Sequence, residues 1–115
     1  MQYMLMIYGD EARMQAGTPE HKAQRMAAFV AYTEALQKAG VHVGGNRLQP
    51  VAAATTVRVK DGASQVLDGP YADSKEQLGG YYLIDVPDLD SALSWAARCP
   101  GASYGCVEVR PLWYA

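Results

Sequence analysis

Residues 2–8 are apolar at almost every position, and both faces of the strand they predict share in it. Tyr3, Leu5 and Ile7 alternate with Met4, Met6 and Tyr8. Residues 80–86 repeat the pattern, with Tyr81 and Leu83 set against Tyr82, Ile84 and Val86. A sheet with one wet face would show clean alternation of apolar and polar positions, so both faces of this sheet are expected to be covered.

The polar stretch from Gly9 to Gly17 reads as a loop. Thr18-Pro19-Glu20 then supplies a helix cap, a proline at the first helical position and an acid in the first turn. Met26, Phe29, Val30, Thr33 and Leu36 follow helical spacing and mark the expected buried stripe, and Gly40 stands where the helix should stop. Residues 41–48 read as a strand with a bulge or close backbone approach at Gly44-Gly45. A hairpin follows, residues 55–59 and 64–67, turned by Asp61-Gly62.

After the Asp68-Gly69-Pro70 turn, Ser74-Lys75-Glu76-Gln77 fits a capping box and predicts one helical turn. Asp88 caps a second long helix with Leu89, Ala92, Leu93 and Ala96 on one face and Trp95 at the rim. Pro100-Gly101 ends it. Residues 106–110 form the last strand, stopped by Pro111 before Leu112-Trp113-Tyr114.

The order is βαβ-hairpin-βαβ. Setting the hairpin aside, this is the ferredoxin-like α+β pattern, an antiparallel sheet with two helices on one face. Two helices leave the other apolar face open, and the simplest cover is a second copy of the chain in a symmetric homodimer.

Composition narrows the functional classes. At 115 residues the chain is one domain. A 50% apolar and 19% charged composition is globular. A net charge of -2, with Lys and Arg scattered, argues against nucleic acid as a partner. No stretch approaches the ~18 apolar residues of a membrane span, so no membrane partner is expected. The apolar opening lacks a basic region and a small-residue cleavage site, which makes it a strand and the cytoplasm the expected location. Cys99 and Cys106 show no metal or redox spacing and are expected to be free thiols. His21 and His42 are far apart, so no metal and no cofactor is expected. Neither a phosphate loop nor a dinucleotide fingerprint nor a hydrolase elbow is present.

Several segments together resemble the DGPF branch of the YCII-related family. They are Met4-Leu5-Met6-Ile7-Tyr8, Ala54-Thr55-Thr56-Val57-Arg58, Asp68-Gly69-Pro70-Tyr71, residues 75–82 and residues 107–113. The resemblance covers nearly the whole chain. It implies a dimeric α+β barrel, in agreement with the two-faced strands, and an association of some relatives with sigma-factor-type transcription regulators. Tyr71 stands where the family motif has Phe. Relatives of the YCII type point to a His–Asp pair near the first helix, but the His position falls near Phe29 here, so the pair is not carried over.

The candidate chemistry lies mostly between residues 67 and 82. Asp68 is either an Asx-type turn residue or, if desolvated at the barrel mouth, a general acid or base. Glu76 is the second catalytic candidate, against a solvated position on a helical turn. Tyr8, Asp10, Tyr71, Tyr81 and Tyr82 are the ligand-binding candidates. Tyr81 and Tyr82 must point to opposite faces, because neighbours on a strand alternate. Asp10 and Glu11, in the loop after the first strand, form a second candidate cluster, against the reading of a solvated pair of loop acids. Glu108 and Arg110 share a strand face and are expected to pair, with Arg58 near them or at an edge. The leading expectation is a small-molecule-binding dimer with cofactor-independent acid–base activity. The alternative is a non-enzymatic regulatory or interaction module partnering a transcription regulator.

Overall fold

A computed structural model describes residues 1–113. Strand β1 (Gln2–Gly9) lies inside a four-stranded sheet between β5 (Gln77–Asp85) and β6 (Cys106–Pro111), and β2 (His42–Arg47) pairs with the outer side of β5. All three pairings are antiparallel, in the order β2-β5-β1-β6. Helices α2 (Pro19–Lys38) and α3 (Leu89–Arg98) cover one face. Strands β3 (Thr55–Lys60) and β4 (Ala63–Asp68) form a separate hairpin. This is the expected α+β, ferredoxin-like architecture with its inserted hairpin.

The core follows from the strand periodicity. Tyr3 and Leu5 on β1 and Ile84 on β5, with Val86 beyond it, meet Tyr32 and Leu36 of α2 and Ala92 and Ala96 of α3. Leu5, Leu36, Ile84 and Cys99 exclude solvent almost completely. The alanines at 92 and 96 let α3 approach the sheet closely. Leu89 and Leu93, expected on the buried face, flank that contact and are exposed. Trp95 is half-buried at the rim, as its spacing predicts.

The α2 stripe is corrected in the same way. Leu36 is buried, Phe29 and Thr33 are half-buried, and Met26 and Val30 are exposed. Only the C-terminal half of α2 seats on the sheet. The N-terminal half stands away from it over an open space.

Local signals held where no long-range contact opposed them. Thr18 accepts a hydrogen bond from the His21 amide at 3.1 Å, Pro19 opens α2, and Gly40 takes a positive φ of 73° just past its end. The expected bulge is present as a register shift between His42 and Gly44. The expected loop over 9–17 instead holds α1 (Glu11–Gln15), capped by Asp10, which accepts from the Arg13 amide at 3.2 Å. The capping box at 74–77 does not start a helix. Gln77 is already paired with Gly9 in the β1–β5 ladder, which draws the chain extended before a turn can close. Pro100-Gly101 does end α3, and also begins a further turn, α4 (Gly101–Tyr104). Both cysteines are free, Cys99 buried and Cys106 exposed. Tyr114, part of the apolar tail expected after Pro111, lies outside the described residues.

No helix among the described residues is long and apolar enough to cross a membrane.

Candidate functional site

The space under the N-terminal half of α2 is a cavity of about 870 Å³. Its roof is α2, through Met26, Phe29 and Val30, and its floor is the helix-facing side of β1, β5 and β2. Gly45 and Gly80 keep that floor low. A β-carbon on Gly45 would meet the Tyr81 carbonyl oxygen at 2.7 Å, and one on Gly80 the Asn46 carbonyl oxygen at 2.9 Å. Ile7, Met14 and Leu48 add apolar wall.

A few polar groups converge on this apolar space, the composition of a ligand site. Tyr82 projects from the floor and meets Thr33 of α2, hydroxyl to hydroxyl at 2.7 Å. Thr33 also donates to the carbonyl of Phe29 at 2.9 Å. The Tyr82 ring packs edge-on against Tyr32, with centroids 5.3 Å apart, and Tyr32 donates to the carbonyl of Trp95 at 2.7 Å. Burial raises the Tyr82 phenol above its ordinary value of 10.0. Tyr82 is therefore a neutral phenol at physiological pH. His42 also lines the cavity, its ring edge-on to Tyr82 at 6.2 Å.

Charged groups gather at the other end. Lys22 and Arg25 of α2 and Arg47 of β2 line the cavity there, together with Glu11. The two Glu11 carboxylate oxygens lie 3.0 and 3.3 Å from the Val51 amide, which they accept from, and the Glu11 amide donates to the Gln77 side chain at 3.0 Å. Arg25 donates to the Met14 carbonyl at 2.8 Å and lies over the Tyr104 ring. Among the described residues no group of His, Cys, Asp and Glu is arranged to hold a metal ion.

The structure brings some of the sequence-derived candidates together and separates others. Tyr8, Tyr81 and Tyr82 belong to the cavity lining. The ladder register places Tyr82 opposite Leu5, on the helix side. Tyr81 lies opposite Met6 on the other face, where its hydroxyl accepts from Asn46 at 3.1 Å. Asp10 is spent on capping α1. The expected gathering of Asp68, Tyr71 and Glu76 at one mouth with Tyr8 does not occur within one chain. Asp68 ends β4 opposite Thr55, exposed and outside the lining. Tyr71 is 76% exposed and stacks with Arg58, whose guanidinium lies 5.0 Å from its ring. Arg58 is thus engaged away from the Glu108–Arg110 pair, which forms as expected. Glu76 is exposed beside Gly105.

Thr33, His42 and Arg47 were not visible as site residues in the sequence. Thr33 carried the signal of a core stripe and His42 that of an ordinary strand start. Glu11 stands with Asp10 as a second candidate cluster in the sequence, and the cavity takes Glu11 and leaves Asp10 out. The one usable hint was Gly44-Gly45, which marks the place where backbone rather than side chain forms the floor.

Comparison with known proteins gives consistent results. A model of the YCII-related domain matches residues 1–114. An uncharacterized protein of Rhizobium meliloti (strain 1021) is 40% identical over 114 residues, covering 97% of this chain and 92% of that protein. The solved structure of a 5-chloro-2-hydroxyhydroquinone dehydrochlorinase, TftG, from Burkholderia phenoliruptrix, in complex with 2,5-dihydroxybenzoquinone, superposes with a TM-score of 0.58. It covers 100% of this chain and 96% of that one at 14% identity, a likeness of fold.

Proposed function

We propose that this chain, which belongs to the YCII-related domain family, binds a small organic molecule in the cavity under α2 and performs acid–base chemistry on it without a cofactor. The observation that carries this reading is the cavity itself: about 870 Å³ of largely apolar space onto which two hydroxyls, an imidazole and three cations converge. The dehydrochlorinase that shares the fold binds a dihydroxybenzoquinone, which supports a small-molecule ligand. Within the lining, His42 carries the imidazole, the side chain most often used as a general acid or base. Tyr82 and Thr33 orient the ligand. Asp68, Glu76 and Tyr71 stand outside this cavity, so the proposed chemistry rests on His42 rather than on them.

The proposed assembly is a homodimer in the cytoplasm, formed through the helix-free face of the sheet, where Met4, Met6, Tyr81 and Leu83 stand together. The second reading, an interaction module for a regulator, draws support from the β3–β4 hairpin. Val57, Val59 and Val66 share one of its faces and are 60%, 70% and 62% exposed. A two-stranded hairpin without a packed face is only marginally stable, so a partner surface would suit it.

Replacing Val30 by Trp separates the readings. Val30 is exposed on α2 and lines the cavity, so a bulky ring there fills the space with little strain on the core. In a thermal-shift screen against a metabolite panel, hits on the wild-type chain should vanish in Val30→Trp while the unliganded melting temperature is kept. Hits that persist in that variant sink the cavity assignment.

A further inference from the structure

We propose that the cavity selects an anion with a hydroxyl at its far end, of the class of hydroxyaryl carboxylates, and that Tyr82 reads the hydroxyl as an acceptor rather than a donor. This inference rests on the cavity reading above and adds the ligand's charge and the direction of its hydrogen bond.

The direction follows from counting protons. A threonine hydroxyl has one proton, and Thr33 gives it to the Phe29 carbonyl at 2.9 Å. The 2.7 Å contact with Tyr82 then holds a hydrogen bond only if Tyr82 donates. The relay runs from Tyr82 to Thr33 to the α2 backbone, and it leaves the phenol oxygen with lone pairs and no proton to offer. A ligand group meeting that oxygen must bring its own O–H or N–H. An ether or ketone there would face a lone pair.

The charge follows from the other end. α2 runs opposite to β2, so Lys22 and Arg25 near the start of the helix lie at the same end as Arg47 near the end of the strand, while Thr33 and Tyr82 lie further in. Three cations face one carboxylate, Glu11, so the lining is positive although the whole chain carries -2. Among the described residues the only ion pairs are Met1–Asp85 and Arg110–Glu108, which leaves all three cations without a carboxylate partner. Low-dielectric walls focus such a field on an entering anion. The spacing suits one ring with a short arm. Arg47 is two residues from Gly45, the cross-strand partner of Tyr82, or roughly 7 Å along the strand. Arg25 is eight residues from Thr33, or about 12 Å along the helix.

Four matched probes test this by titration calorimetry on the full chain: para-hydroxyphenylacetate, para-methoxyphenylacetate, phenylacetate and para-hydroxyphenylacetamide. The hydroxy acid should bind about tenfold tighter than the methoxy acid, and about tenfold tighter than its neutral amide. Tyr82→Phe should abolish the hydroxyl preference and keep the charge preference, and Arg47→Gln the reverse. Thr33→Val removes the acceptor of the Tyr82 proton, frees the phenol to donate, and should turn the preference toward the methoxy acid. Equal binding of hydroxy and methoxy acids, or of acid and amide, overturns the proposal, as does failure of all four to bind at millimolar concentration. If the probes bind and Val30→Trp abolishes that binding without either preference having appeared, only this inference fails. If binding survives Val30→Trp, the cavity reading fails with it.

Discussion

Gly45 and Tyr82 are cross-strand partners so closely set that a β-carbon on residue 45 would lie 2.9 Å from the Cδ1 atom of the tyrosine ring. The same atom would lie 2.7 Å from the Tyr81 carbonyl oxygen, which as backbone cannot step aside. Gly44, next in the chain, has open space around its position. Gly45→Ala should therefore destabilise the fold by about 1–3 kcal/mol, the usual cost of forcing atoms into a packed site, and displace the Tyr82 ring. Gly44→Ala should change stability little. Urea denaturation of the two variants checks this, and equal midpoints would remove Gly45 from the account of the cavity floor.

Alkaline pH should unfold the chain through groups that burial keeps protonated. Burial chiefly holds the Tyr32 phenol well above its ordinary value of 10.0, with Cys99 and Tyr82 adding to the rise. Burial likewise lifts the Cys99 thiol above 9.0, although the amides of Gly101 and Ala102 partly oppose it. In both cases the folded value exceeds the unfolded one. The stabilisation is complete below 9.0 and is lost as pH rises above 9.0 and 10.0 toward the folded values, because the unfolded chain releases protons that the folded chain retains. The urea midpoint should fall steadily above pH 9.0, and Tyr32→Phe should flatten the part of the decline above 10.0. A midpoint independent of pH across that range contradicts the assignment.

The fold was legible in the sequence where the signal is either periodic over a whole element or purely local. The two-faced apolar runs at 2–8 and 80–86 gave the paired central strands, and Thr18-Pro19 gave the start of α2. Ser74 failed as a cap because the partner that decides the conformation of Gln77 is Gly9, nearly seventy positions away, and no local motif reports it. Helix α1 was missed because none of its residues is buried, so it leaves no apolar stripe to read. The site was less legible for the same reason. Thr33 and Tyr82 are 49 positions apart, and each taken alone is an ordinary core residue. His42 reaches the cavity through a register that depends on a bulge. Asp68 and Glu76 stood out because turn chemistry concentrates polar residues, which is a property of the connection and not of a binding site.

Glu11 ties the segment after β2 to the mouth of the cavity. Its carboxylate accepts from the Val51 amide while its own amide is held by Gln77, so α1, β5 and the turn at Val51–Ala53 meet at one side chain. Glu11→Ala leaves the Val51 amide without its partner, at a cost of about 1 kcal/mol. The larger effect should be local, since segments held by few contacts open first. Hydrogen exchange at Val51 and Ala53 should quicken in Glu11→Ala while exchange in β1 is unchanged. Uniform quickening throughout the chain would instead make Glu11 a contributor to global stability.

The helix-free face carries the last expectation. Met4 pairs with Leu83 and Met6 with Tyr81, giving four large side chains on the side of the sheet that no helix covers. On that face Glu108 lies opposite Met6 and Arg110 opposite Met4, so an ion pair borders the apolar patch as the polar rim of an interface does. Within a proposed homodimer Leu83 would be desolvated by the second copy. A carboxylate at that position would be buried without a partner, which costs several kcal/mol per ion and falls once on each copy. Leu83→Glu should therefore convert the dimer to a folded monomer, seen as a halved mass by light scattering with an unchanged circular dichroism spectrum. Met4→Lys serves as a second variant should Leu83→Glu fold poorly. Ile84, the next residue, faces the core, so Ile84→Ala should lower the melting temperature rather than the mass. A wild-type chain that is monomeric at micromolar concentration would falsify the assembly and leave the apolar face to another partner.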